Sequence, residues 1–256
     1  MQIERTEEDY VNLEQEERNL TDEAIAVMIV ILSVTFNNLE KELRSFYQKY
    51  GKAGVVTYQA SRKWVDNKDH RRRITALLMV LSDQFKELNS KLTPEFSSFL
   101  TEVVKKEMDF FDVDLDIEDI LDTPWGIDEA TWFYRLEDDV DLWNAYVASD
   151  LKRSFMRQDN VEDVIERLRK RFITMENVLS KLAMTESTAI GSLARRNIFK
   201  EIGISKYQYY AREDERTCET CGSLHGLVFP ISSYEVGVNA SPIHPWCRCW
   251  EVPIWD

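Results

Sequence analysis

The sequence predicts a mainly α protein, with long helices in its N-terminal and central regions followed by a small α+β C-terminal module stapled by zinc. Three observations carry this. Glycine and proline are scarce, 8 and 6 in 256 residues, and they gather toward the C-terminal end. Long helices tolerate that distribution, whereas a many-stranded sandwich needs frequent turns. Before residue 203 apolar residues recur at three- and four-residue spacing over long stretches. All four cysteines lie between 218 and 249, in a segment too short to bury a large core, and such modules are usually held by a staple.

Thr21 or Asp22 caps a first helix running from Glu23 to Tyr50 and stopping at Gly51. Its most apolar stretch, Ala24 to Leu32, is well short of the ~20 residues needed to span a bilayer. It reads as the buried centre of a helix, and no membrane partner is expected. The second half is amphipathic, with Phe36, Leu39, Leu43, Phe46 and Tyr47 on one side. A second helix covers Asp69 to Leu92 with Ile74, Leu77, Leu78, Leu81, Phe85 and Leu88 on one face. Pro94 then opens a third, to Met108, because a missing N–H is harmless in a first turn.

The acidic stretch Asp109 to Asp122 has the look of a calcium loop, but Ile117 stands where the loop needs glycine and Thr123 where it needs glutamate. It is expected to be a solvated linker. Pro124-Trp125-Gly126 marks the end of an N-terminal helical region, 1–125. A central long-helix region, 126–203, holds helices from Asp128 to Arg157 and from Val161 to Phe199. The Cys/His-rich module is 204–256. Within the first central helix, Trp132, Phe133, Trp143 and Tyr146 form an aromatic stripe that is either core or a contact with a partner. After Gly203 the texture changes: Tyr207 to Ala211, Leu227 to Phe229 and Trp250 to Val252 read as short strands.

Charge narrows the partners. The formal net charge is −14, so the chain gains no broad affinity for nucleic acid by neutralising phosphates, and DNA contact is not favoured. Arg71-Arg72-Arg73 and the cluster Arg167, Arg169, Lys170, Arg171 are expected to be solvated helix faces. The first ten residues are acidic and polar, unlike a secretory signal, and the expected origin is cytoplasmic.

The informative motif lies in the module. Cys218-x2-Cys221 places two thiolates on a tight turn at adjacent corners of a tetrahedron, and His244, Cys247 and Cys249 offer further ligands after a loop. Cys218, Cys221 and two of the last three would close a structural zinc site. A packed cluster of reduced thiols or a disulfide across the two halves remain the alternatives.

From about Leu182 to Pro253 the sequence resembles the phage Mu F-like minor head proteins, also called phage head morphogenesis proteins. The resemblance rests on Thr185-Glu186, Ala194-Arg195, Ile204-x-Lys206-Tyr207 and Asp214-x-Arg216-Thr217-Cys218-x2-Cys221. It continues through Leu224-His225-Gly226 and His244-Pro245-x-Cys247-x-Cys249, with Pro253 beyond. Met184 stands where the family often has arginine, and Ala240-Ser241-Pro242 where it commonly shows two prolines. The resemblance implies a non-enzymatic virion protein in few copies, inside the head or at the portal vertex. Such a protein meets the host cytoplasm during assembly, binds the portal and other head proteins, and influences DNA packaging or ejection; self-association is a further expectation.

Asp214 and Arg216 are expected to be structural, the Arg216 fork holding Asp214 or Glu186. Two alternatives stand beside this. One is a zinc-ribbon-like nucleic-acid binder, weakened by the acidic balance and by how few basic residues surround the cysteines. The other is an effector enzyme fused to a head-protein domain. The N-terminal half carries no phosphate loop, zincin motif or nucleophile elbow to support it.

Overall fold

Thr6 opens the first helix, sixteen residues before the start the sequence suggested. Its amide donates to Asp9 Oδ2 at 2.7 Å while the Asp9 amide reaches back to Thr6 Oγ1 at 3.3 Å, a reciprocal cap that satisfies otherwise orphaned donors. The computed structural model describes residues 5–56 and 68–255. Helix α1 spans Glu7–Tyr50, α2 Lys68–Phe111, α3 Ile117–Leu121, α4 Trp132–Arg157 and α5 Val161–Glu201. The module holds β1 Lys206–Tyr210, α6 Glu219–Leu224, β2 Val228–Pro230 and β3 Trp250–Ile254. The mainly α class and the small α+β ending both stand.

Three expectations are corrected. Thr21 caps nothing: it lies inside α1, its hydroxyl donating to the Glu17 carbonyl at 2.8 Å and contacting Ser187 Oγ at 2.9 Å. The second and third helices are one, α2, with Pro94 inside it. An internal proline costs about 3 kcal/mol, and the fully buried Leu88, Leu92, Phe96 and Leu100 on either side offset it by packing. The apolar stretch of α1 is not buried all round: Met28 and Leu32 are buried, but Val27, Val30 and Val34 are exposed. By length and composition α1 is apolar enough to cross a bilayer.

The chain forms two compact units, each drawing on α1, α2, α4 and α5. One unit, residues 27–93 and 136–179, is built from helices, with isolated bridges from Val55 to Lys52 and Asn160 among its described residues. Its core combines the predicted faces, Leu39, Leu43 and Phe46 of α1, Leu77, Leu81, Phe85 and Leu88 of α2 and Val140, Trp143 and Val147 of α4, with Leu168 and Phe172 of α5, which the sequence reading did not single out. The basic cluster belongs here, and its charges are matched. Arg171 binds Asp150 at 2.5 Å, Arg167 binds Asp159, and Arg169 and Lys170 share Glu166. These paired cations form a solvated face of α5.

The other unit comprises residues 1–26, 94–135 and 180–256. Its acidic stretch holds no metal-ligating group among the described residues. Asp116 instead caps α3, accepting from the amides of Glu118 and Asp119. The strands form an antiparallel sheet in the order β2-β1-β3, pairing Tyr207 with Phe229 on one side and with Pro253 on the other. Alternation along β1 sends Tyr207 and Tyr209 to one face, both fully buried. Tyr207 meets Tyr234 with ring centroids 4.5 Å apart, while Tyr210 on the opposite face stacks on Trp250.

Candidate metal centre

Cys218 caps α6, its Sγ accepting the Cys221 amide at 3.3 Å. One turn of helix therefore aims the second thiol back toward the first. Gly226, at φ +77, turns the chain out of this element, and the turn is pinned as its amide donates to the Tyr209 carbonyl at 2.9 Å. His225 is a frame residue here, with Nδ1 accepting the Ala211 amide at 3.2 Å. Thr217 folds the approach to the knuckle by accepting the Asp214 amide at 2.9 Å and donating to the Arg212 carbonyl.

The later half of the motif closes over the first. His244 Nε2 lies 3.3 Å from Cys221 Sγ, and Cys247 Sγ lies 3.8 Å from the same sulfur. A tetrahedral zinc with Zn–S of about 2.3 Å and Zn–N of about 2.0 Å has ligand–ligand edges of about 3.5 to 3.8 Å, so these separations fit one ion. Two groups of donors are compact enough to hold a metal: Cys218, Cys221 and His244, and Cys221, Cys247 and Cys249, with all ligand atoms in each within 4.8 Å. Cys221 belongs to both. Between them the two groups take in all five candidate ligands, joined at Cys221, and the four cysteines are free thiols.

Electrostatics support a ligand role. His244 Nδ1 donates to the Pro245 carbonyl at 2.7 Å, which leaves the Nε2 lone pair facing the sulfurs. Hydrogen bonds from the Cys221 and Cys249 thiols hold Cys247 down to about 2, and the same contact with Cys247 pushes Cys221 far up. One thiolate is thus stabilised at the expense of its neighbour, and a divalent cation would relieve that competition by binding both as thiolates. Tyr209 Oη, 3.5 Å from Cys221 Sγ, walls the site from the sheet side.

One face of α5 carries the module. Thr185 Oγ1 accepts the Trp246 amide at 3.3 Å and Thr188 Oγ1 donates to the Cys247 carbonyl at 3.1 Å. Ser192 Oγ contacts Tyr234 Oη at 2.8 Å, and Arg195 Nη1 reaches Glu251 at 3.4 Å. Only Thr185 and the Ala194-Arg195 pair were singled out from sequence. The missed signal is the set of small polar residues Ser187, Thr188 and Ser192 interleaved with Ala183, Ala189, Ile190 and Leu193 inside a helix: on a buried face such residues must find partners within the fold. Trp246, between His244 and Cys247 in sequence, has φ +66 and stays half-exposed.

The Arg216 expectation is overturned. Arg216 is exposed and contributes to Asp214 only its backbone amide, at 2.8 Å. Arg248 provides the fork instead, with contacts of 2.5 and 2.6 Å to the two Asp214 oxygens, and it holds that carboxyl well below the usual range. The planar guanidinium matches a carboxylate bidentately, and Arg248 lies between Cys247 and Cys249. Glu186 is likewise taken, fully buried, by Arg135 Nη1 at 2.7 Å and Trp125 Nε1 at 2.8 Å. Replacing Arg248 with Lys should therefore lower the melting temperature, and Arg216→Lys should leave it unchanged. Equal shifts in thermal scans of the two variants would count against this assignment.

The aromatic stripe divides by burial. Trp132 is buried against Phe96, rings 5.6 Å apart and parallel within 3°, and Trp143 is buried as well. Phe133 and Tyr146 are exposed at 36% and 44%, the Tyr146 ring lying 5.0 Å below Arg171. A partner can reach only the latter two.

Fold and site together define a long-helix protein whose thiol-rich module is carried on α5. Residues 145–252 match the family model described as Phage Mu protein F like protein. The match begins within α4 and takes in all of α5, well before the motifs at Leu182. It points to a phage head morphogenesis protein, a structural class that works with other head proteins. No curated protein and no solved structure matches the chain.

Proposed function

We propose that the protein is a minor head component of a tailed bacteriophage, seated at the portal vertex, acting in head assembly and DNA packaging or ejection. The observation that carries this is the family match over a segment that holds both the supporting helix and the complete thiol cluster. The protein is structural and not enzymatic. It passes through the host cytoplasm into the virion, and its module is closed by one zinc ion held by Cys218, Cys221 and two of His244, Cys247 and Cys249. The acidic balance and the matched cations of α5 favour protein partners over DNA. Co-purification with the portal protein from infected cells tests the placement: the chain should travel with portal-containing procapsids. Its absence from purified heads overturns the reading.

The exposed aromatics are the proposed contact. Tyr146→Ala and Phe133→Ala should leave the fold intact and weaken portal co-sedimentation, because exposed aromatic anchors bury much area on docking at low entropic cost. Trp143→Ala empties a core position and should cost about 3–5 kcal/mol of stability. Undiminished co-sedimentation of both surface variants would place the docking surface elsewhere.

A further inference from the structure

In the unit that holds the module, three carboxylates from three elements converge on one guanidinium. Arg195 of α5 contacts Glu17 of α1 at 3.2 Å, Glu107 of α2, and Glu251 of β3 at 3.4 Å. All four residues are buried, Glu107 and Glu251 completely. A single nitrogen, Arg195 Nη2, serves both Glu17 and Glu107, which brings their carboxyl groups together.

Nearby cations have carboxylate partners of their own, with Arg18 Nε alone among their nitrogens buried and unmatched among the described residues. Arg18 and Arg212 both bind Glu14, and Arg248 binds Asp214. Glu251 is furnished with its own donors, the Ser241 amide at 2.6 Å and Tyr234 Oη at 2.9 Å. Glu17 and Glu107 are not. Glu17 Oε1 and Glu107 Oε2 are buried with no donor among the described residues, Glu107 Oε1 meets only Arg195 Nη2, and the hydroxyl of Tyr10, the remaining titratable group on that face of α1, is likewise unmatched.

Two ionised carboxylates cannot share one half-occupied guanidinium in a buried site, because like charges at that separation exclude joint ionisation. The missing donor is a proton. We propose that Glu17 and Glu107 share one proton as a buried carboxyl–carboxylate pair, and that losing it loosens the start of α1 from the helix that carries the thiol module. Burial first, and then the charge of Glu107, hold Glu17 well above the usual carboxylate range, in keeping with this geometry. A cavity of about 30 Å³ bordered by Glu14, Glu17, Arg18, Arg195, Arg248 and Cys249 has room for a water, which gives the proton a route outward.

The sign follows from linkage. A carboxyl whose folded-state pKa is raised contributes stability that is present below its unfolded value and is lost as pH rises through the folded one. The docking of α1 should therefore weaken on the alkaline side.

Infrared spectra of the full chain and of Glu17→Gln and Glu107→Gln test the pair, with circular dichroism as the check on folding. At about pH 7 the wild type should show the carbonyl stretch of a protonated carboxyl in excess of Glu17→Gln. The same band should vanish in Glu107→Gln, because Glu17, facing an amide and Arg195, then ionises. Hydrogen exchange of α1 amides near Glu17 should accelerate with pH beyond its intrinsic rise in the wild type, and not in Glu17→Gln. No excess band in the wild type overturns the proposal, as does a band retained in Glu107→Gln, which would make Glu17 an acid kept neutral by burial alone. Should either variant fail to fold, the pH titration of the wild-type band decides: loss of the band at ordinary carboxylate pH overturns the shared proton.

Discussion

Protein purified without chelator will carry about one zinc per chain, and stripping that metal will unfold the C-terminal module while the long helices stay helical. The module has little else to hold its loops. Its buried cluster at the site is Tyr209, Ala211, Cys221, Cys247 and Cys249, in which three of the five side chains are the proposed ligands themselves. Without a cation, the Cys221 and Cys247 sulfurs, 3.8 Å apart, resist joint ionisation, as like charges at that separation do. Structural zinc contributes about 10–16 kcal/mol in small domains, far more than this packing supplies. Cys221→Ser should be the most damaging single change, because both donor groups need that sulfur. Metal analysis alongside near- and far-ultraviolet circular dichroism reads the outcome. A zinc content below about a tenth of an equivalent, with all four thiols freely titratable, sinks the metal reading.

The elements that were legible in the sequence are those whose periodicity is set by a single face. Leu77, Leu81, Phe85 and Leu88 repeat at helical spacing because one side of α2 meets a core, and they are buried as read. The thiol knuckle was legible for a chemical reason, since few arrangements other than metal binding place Cys-x2-Cys before His-x2-Cys-x-Cys. What escaped was everything decided at long range. The first turns of α1 do not read as helix, because nothing in the local sequence shows that Glu14 and Glu17 are buried. Their partners, Arg212 and Arg195, lie nearly two hundred positions along the chain. Pro94 looked like a helix start because the local rule is sound; the packing of Leu92 and Phe96 on either side of it is not a local property. Arg216 was chosen for Asp214 by proximity in sequence, and Arg248 was preferred by the fold because β3 returns beside β1.

Arg195→Met should be the most destabilising substitution outside the thiol cluster. The side chain is 5% exposed and supplies the only cation that meets Glu17, Glu107 and Glu251 among the described residues. Methionine fills much of the same volume, so the loss is electrostatic and not a cavity effect. Removing one partner of a buried ion pair typically costs about 3–5 kcal/mol, because the charge left behind has neither water nor a counterion. Arg195→Lys should recover part of this, since one ammonium cannot reach three carboxylates the way a planar fork does. The deficit should also depend on pH in a defined direction. Without the guanidinium, Glu17 can stay buried only with its proton, so its folded-state pKa rises further and the variant loses stability as pH climbs above the ordinary carboxylate value of 4.5. Urea unfolding of wild type and variant at about pH 5 and about pH 8 measures this, with the larger gap expected at the higher pH. A gap that is equal at both, or below about 1 kcal/mol throughout, would mean that the carboxylates find water once the guanidinium is gone, and that α1 is held to the module by its apolar contacts alone.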